Sequence, residues 1–285
     1  MEELRSEILI DALNYIKQFR NKVFIVKLGG EVLVDEKVVK SVAQDLIFLN
    51  MVGIKTAVVH GGGADITNAM EKFGKKPKFV EGLRVTDKET MDIVEMVLTG
   101  KNNTQLVSTI SKLGGDPVGL SGKSGHLFEA KKKKQKVDLG LVGEITKVNP
   151  AIVQAQIQNN YIPIISPIGI GADGESLNIN ADTSASELAV SLNASKLILM
   201  TAVDGVLDKN GKLIKRLTVP ETKKLLDTDV ITGGMTPKLK ACIHALENGV
   251  ERTHIIKAGY HALLEEILTV TGTGTMITQK KVIGE

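Results

Sequence analysis

Apolar residues along this chain alternate between two rhythms. Short β-branched runs such as Val23 to Leu28 give way to longer stretches in which apolar residues recur every three or four positions. The first such stretch puts Val38, Val39, Val42, Leu46 and Leu49 on one helical face. A strand over Thr56 to Val59 follows, then a helix around Ile66 to Phe73, then a long helical stretch from Lys88 towards Leu113 with Asp87 as its cap. Residues 117–148 lack the helical period and read as strands or hairpins. The second half repeats the logic, with strands at Tyr161 to Ile165, Lys196 to Met200 and Thr253 to Ile256. Its helices fall at Ala181 to Leu192, at Pro237 to Glu247 and from about His261. This alternation predicts an α/β fold, a three-layer αβα sandwich with a mostly parallel central sheet.

Residues 1–20 form a separate N-terminal helix. Its apolar positions, Ile8, Leu9, Ala12, Leu13, Tyr15, Ile16 and Phe19, make a stripe wider than one packing face needs. The helix either packs on another subunit or covers the core of its own chain. The remainder, residues 21–285, reads as two lobes on one continuous sheet, 21–175 and 176–285, with the boundary in the stretch Gly169 to Gly174.

Composition narrows the classes of partner. A net charge of +3 is too small to argue for nucleic acid, and the run Lys131 to Lys134 with Lys136 has no interleaved aromatic residues, so it reads as a solvated loop tip. A single cysteine, Cys242, excludes an internal disulfide and a cysteine-built metal site, and fits a reducing compartment. No stretch reaches the ~18 consecutive apolar residues of a membrane span. Glu2, Glu3, Glu7 and Asp11 are foreign to a secretory signal. The expectation is a cytoplasmic protein without membrane or nucleic-acid partners.

Glycine placement carries the chemistry. Gly119-Leu120-Ser121-Gly122-Lys123-Ser124 looks like a Walker-A loop but has two residues before its Gly-Lys-Ser instead of four, and no clear helix follows. Gly61-Gly62-Gly63 lacks the spacing of a dinucleotide fingerprint. Two clusters, Gly29-Gly30 and Gly61-Gly62-Gly63, each lie between the carboxyl end of a strand and a helix, the edge at which open α/β sheets bind ligands. Backbone amides there approach anionic oxygens closely. Lys27 is the polar residue of an apolar strand, and a buried lysine needs a negative partner. Lys238 follows the Gly233-Gly234 turn near a helix start, and Asn178 to Asp182 concentrates more amide and acid groups than one helix cap requires. His60 reads as a strand-end residue and not as a base.

Taken together, Lys27-Leu28-Gly29-Gly30, His60 to Gly63, Asn178 to Asp182, and Gly233-Gly234-Met235 with Lys238 strongly resemble the amino-acid kinase family, in its order and spacing, from about residue 12 to Ile277. Glu81-Gly82-Leu83-Arg84-Val85-Thr86 narrows the resemblance to members that phosphorylate N-acetyl-L-glutamate with ATP. The resemblance implies that Lys27 and Lys238 flank the transferring phosphoryl group while Asp182 holds them. Gly29, Gly30 and Gly62 would cradle phosphate, and Gly62, Gly63, Arg84 and Asn178 would bind N-acetyl-L-glutamate. Thr201, Val203, Asp204, Gly205, Val206 and Leu207, with residues 230–235 including Gly233, Gly234 and Met235, would hold ATP, whose Mg2+ arrives with the nucleotide and needs no protein metal site. Lobe 21–175 would then bind substrate and lobe 176–285 ATP.

The N-terminal helix resembles that of arginine-inhibited members, which interlaces dimers into a hexamer. This implies a homo-oligomer and an L-arginine feedback site involving Tyr15, Glu266 and Gly272. Two departures stand out: Ala202, where relatives commonly carry aspartate, and Lys257 to Tyr260, which differs from their usual Asp-Gly-Arg. Two alternatives stay open, a sister kinase that phosphorylates another amino-acid carboxylate and a non-catalytic arginine sensor.

Overall fold

The computed structural model describes residues 2–228, 230–231, 233–269 and 272–280, with the backbone alone for residues 2–9. Thr232, Val270 and Thr271, within segments expected to bind ATP and arginine, and the side chains of Ile8 and Leu9 lie outside the described set.

Helix α1 (Glu2–Phe19) precedes β1 (Val23–Leu28), and a 3-10 turn over Val32–Val34 leads into α2 (Glu36–Met51). Next come β2 (Lys55–His60), α3 (Gly63–Lys72) and a hairpin of β3 (Phe79–Val80) and β4 (Leu83–Arg84). A long helical rod follows: α4 (Lys88–Glu95), a π segment of wider turns (Met96–Asn102) and α5 (Asn103–Lys112). Then come β5 (Pro117–Ser121), β6 (Phe128–Lys132), β7 (Gly143–Val148), α6 (Ala151–Gln158), β8 (Ile162–Ser166), β9 (Ile168–Ile170) and β10 (Ser176–Asn178). The rest of the chain forms α7 (Ala181–Ser191), β11 (Lys196–Thr201), β12 (Arg216–Thr218), α8 (Val219–Leu226), α9 (Met235–Glu247), β13 (Arg252–Lys257), α10 (Ala262–Leu268) and β14 (Thr275–Thr278).

Eight strands join in the order β12-β14-β13-β11-β1-β2-β8-β5, parallel throughout except where β14 runs against β13. Strand alternation sorts the side chains between two faces. Ile25, Ala57, Val59, Leu197 and Leu199 pack under α7 and α9, while Phe24, Val26, Leu28, Ile198 and Met200 pack under α2, α5 and α10. The expected αβα sandwich is therefore present. A four-stranded sheet, β10-β9-β6-β7, supplies the hairpins expected over 117–148; the lysine run lies at the end of β6 and in the loop after it, with Lys131 and Lys132 paired to Glu144 and Glu175. Gly169 to Gly174 lie in β9 and its turn into β10.

Asp87 caps α4 as expected, accepting from the Thr90 amide at 2.8 Å. The false Walker string occupies β5 and a 3-10 turn, and Lys123 bonds Ser176 at 2.8 Å. Helices α6 and α8, of eight residues each, add to the helices expected from the sequence. On α1, Ala12, Tyr15, Ile16 and Phe19 cover the chain's own core, whereas Ile10 and Leu13 remain 63% and 40% exposed.

His60, the last residue of β2, is wholly buried. Burial drives its pKa from 6.5 down to about 4, and the bond to the Gly61 carbonyl offsets only part of that. The unfolded chain therefore takes up this proton first as pH falls. The site's stabilisation is complete above ~6.5 and is lost between ~6.5 and ~4, on the order of 3 kcal/mol in all. Urea unfolding midpoints of the unaltered protein should fall over this range, and His60→Asn should show a shallower decline.

Candidate active site

Lys27 shares the face of β1 that carries Ile25, so it points towards α7 and α9. There its Nζ lies 2.9 Å from Asp182 Oδ1, and Lys238 Nζ, from the first turn of α9, donates to Asp182 Oδ2 at 3.1 Å. Lys27 and Asp182 are 5% and 4% exposed, so the pairing is sheltered from water. Burial raises the Asp182 pKa, but the charges of Lys27 and Lys238 and their hydrogen bonds outweigh it and hold the carboxyl below the usual range. Two ammonium groups share one carboxylate. One positive charge is left in excess where solvent cannot screen it, and such a site attracts an anion.

The neighbouring glycine turns present further backbone amides beside this charge. β1 and β2 are parallel partners with Leu28 opposite His60, so their glycine turns lie side by side. The Gly61 amide donates to Leu28 O at 2.8 Å and the Gly29 amide to Met200 O at 3.0 Å. A Cβ at Gly30 would sit 2.7 Å from the Gly63 nitrogen and 2.9 Å from that of Gly62, so no side chain is tolerated. The Gly30, Gly62 and Gly63 amides have no acceptor among the described residues.

Arg84 ends β4 and reaches under α3. Its Nη2 donates to Gly63 O and Thr67 Oγ1, both at 2.9 Å, and its guanidinium lies 4.7 Å from the centroid of the Phe79 ring. It is 7% exposed, and burial lowers its pKa. Among the described residues no carboxylate pairs with it, so its charge is available to a ligand. Asn180 caps α7, accepting from the Asp182 and Thr183 amides at 2.9 and 3.0 Å. Asn178 is thereby spared from capping; its Nδ2 donates to Thr86 Oγ1 at 3.1 Å. Lys27, Gly30, Gly62, Gly63, Arg84 and Asn178 line one cavity of ≈ 220 Å³.

The residues expected to hold nucleotide lie at the carboxyl end of β11 and before α9. Thr201 Oγ1 donates to Glu31 Oε1 at 3.0 Å, and Glu31 folds over Gly29. Val203 and Leu207 are 46% and 40% exposed, and Asp204 pairs with Lys257 at 2.9 Å. Gly205 (φ 149°) abuts Leu213 and Thr275, while Val206 is buried with its amide and carbonyl bonded to Thr275 Oγ1 and the Ile214 amide. Gly233, at φ 56°, and Gly234 leave open space ahead of Met235.

Tyr15, Glu266 and Gly272 meet in a second cavity, of ≈ 440 Å³, between α1, β11 and α10. Sequence reading missed Lys196 and His254 there, because they are strand residues with no motif around them. His254 Nδ1 donates to Glu266 Oε1 at 2.6 Å, and the Thr273 and Gly274 amides donate to Oε2 at 2.6 and 3.1 Å. Burial opposes ionisation of Glu266, yet the His254 bond and these amides bring its pKa to about 2. Thr67 and Phe79, which fix Arg84, were also missed. Among the described residues no group of three or more His, Cys, Asp or Glu side chains could hold a metal ion, and no helix is long and apolar enough to cross a membrane.

Residues 22–257 match the model of the amino acid kinase family. The acetylglutamate kinase of Methanocaldococcus jannaschii is 50% identical to this chain, over 96% of each. Among solved structures, the N-acetylglutamate synthase of Neisseria gonorrhoeae complexed with coenzyme A and N-acetyl-glutamate superposes with a TM-score of 0.88 at 25% identity. The match covers 97% of this chain and 64% of the synthase, so this chain spans under two thirds of that protein. A carbamate kinase from Giardia shares the fold, with a TM-score of 0.64 at 16% identity over 91% of this chain and 99% of that one. The matched segment holds both glycine turns and the two lysines on Asp182, and the chain belongs to the amino acid kinase family, alongside its acetylglutamate kinases.

Proposed function

We propose that this chain transfers the γ-phosphoryl group of ATP to the side-chain carboxylate of N-acetyl-L-glutamate, giving N-acetyl-L-glutamyl 5-phosphate for arginine biosynthesis. The observation that carries this reading is the buried Lys27–Asp182–Lys238 group beside a cavity that also holds the buried guanidinium of Arg84, which no carboxylate pairs among the described residues. A carboxylate nucleophile has a pKa of about 4.3 and is ionised at neutral pH, so no base is required. One carboxylate oxygen bonds to the γ-phosphorus as the bond to the β-phosphate oxygen breaks, and ADP leaves without a proton being moved. Two lysine charges and the glycine amides face the phosphoryl oxygens, so positioning and electrostatics supply the rate. Arg84 grips the other carboxylate of the substrate with its planar fork, and Asn178 meets the acetamido group. The 176–285 lobe holds ATP, with Mg2+ carried on its phosphates.

The second cavity is a regulatory site for L-arginine in this proposal. Glu266 matches a guanidinium, while Lys196 and the other cations of the lining match a carboxylate. The exposed Ile10 and Leu13 of α1 pack against a second copy, giving a dimer-based ring. A cytoplasmic setting accords with a biosynthetic enzyme using ATP.

Lys27→Ala and Lys238→Ala should each lower kcat by about 100-fold or more, read as acyl phosphate trapped by hydroxylamine. Arg84→Lys should act mainly on the KM for N-acetylglutamate. Preference for free glutamate, aspartate or carbamate would overturn the substrate assignment. Millimolar arginine should inhibit the unaltered protein, and Glu266→Gln should weaken that inhibition at least tenfold; insensitivity of the unaltered protein would refute the regulatory site. Ile10→Ser with Leu13→Ser should shift the sedimentation coefficient to a smaller species.

A further inference from the structure

We propose that His60 and Asn102 are positioning residues for phosphoryl transfer, holding the Gly61 carbonyl so that the Gly62 amide is aimed at the transferring group. The inference rests on the reaction proposed above. His60 Nδ1 lies 3.1 Å from Gly61 O, and Asn102 Nδ2 donates to the same oxygen at 3.3 Å. Both side chains are fully buried, so the carbonyl is gripped from the protein interior. A trans peptide directs its C=O and the next N–H to opposite sides, and the described chain has no cis bond. Fixing Gly61 O inward therefore turns the Gly62 N–H outward, to the side where its nitrogen faces Gly30.

The contact with the Gly61 carbonyl also assigns the form of the imidazole. A carbonyl oxygen only accepts, so Nδ1 carries the proton. Nε2 then presents a lone pair to Asn103 Nδ2 at 3.3 Å and to Ser166 Oγ at 3.1 Å, whose single hydroxyl proton is shared with Leu98 O, also at 3.1 Å. Asn103 has its orientation set by Ile164 O, 2.8 Å from the same nitrogen. Burial keeps the ring neutral, with a pKa of about 4. Neither ring nitrogen is left for substrate, so His60 acts through Gly61 and is not a base.

The two asparagines stand at the junction of the π segment, which Asn102 ends, and α5, which Asn103 opens. Here both are buried against β2 and its turn, at the point where the wider turns end. A Cβ at Gly62 would lie 2.6 Å from both Asn102 Nδ2 and Leu98 Cδ2, so the segment approaches the turn only because residue 62 is glycine.

The test uses the full chain with His60→Asn, His60→Gln and Asn102→Leu, followed by kcat, KM and thermal midpoint. An asparagine amide stands where Nδ1 stood and can still donate to Gly61 O, whereas a glutamine amide reaches the place of Nε2. His60→Gln and Asn102→Leu should lower kcat by about 100-fold with little change in KM, while His60→Asn stays within about tenfold of the unaltered protein. The two His60 variants should lose similar thermal stability, which separates positioning from packing. Long-range 1H–15N correlation on the unaltered protein should show His60 protonated at Nδ1, and this readout survives if a variant does not fold. Equal kcat for His60→Asn and His60→Gln, or a proton on Nε2, would overturn the inference. No turnover of N-acetylglutamate by the unaltered protein would instead overturn the reaction, and the catalytic role of His60 with it.

Discussion

Two buried lysines that would otherwise repel each other share the carboxylate of Asp182, the one carboxylate that pairs with them among the described residues. Lys27 arrives on the central strand, Asp182 on the first turn of α7 and Lys238 on the first turn of α9. Packing of α7 against α9 across the face of β1 and β11 is thus what assembles the charges. The strand parity that buries Ile25 is the same parity that sends Lys27 to Asp182.

The glycine turns beside the charges extend this constraint to the backbone. Parallel pairing of β1 and β2 sets two glycine turns so close that the Gly30 position has no room for a Cβ. The turn after β2 is in turn buttressed from the helical rod by Asn102 and Asn103. Asn102 and Asn103 each donate from their Nδ2 into this turn or the strands beside it, and a donor fixed in the interior restrains the backbone it holds.

Much of this was legible from residue order. Lys27 stood out because a lysine in an apolar strand needs a partner, and the two glycine turns because each follows a strand and precedes a helix. Other features depend on contacts between residues far apart in the chain. Nothing in Asn178 to Asp182 says that Asn180 caps the helix while Asn178 faces the cavity; the backbone path decides it. Arg84 was recognisable, but the grip of Gly63, Thr67 and Phe79 on its guanidinium was not. The π segment and the two buried asparagines where it meets α5 left no trace in the apolar period, which read simply as one long helix. Lys196 and His254 were hidden because no motif surrounds them, and only the fold brings them into one cavity with residues of α1 and α10.

The account stands most directly on where the phosphoryl group sits. A crystal structure of the chain with MgADP, aluminium fluoride and N-acetyl-L-glutamate would locate it. The account predicts the fluoride between the Lys27 and Lys238 ammonium groups, within hydrogen-bond reach of the Gly62 amide, with Arg84 on the free carboxylate of the substrate. Fluoride bound away from both lysines, or a substrate carboxylate that leaves Arg84 unpaired, would contradict it.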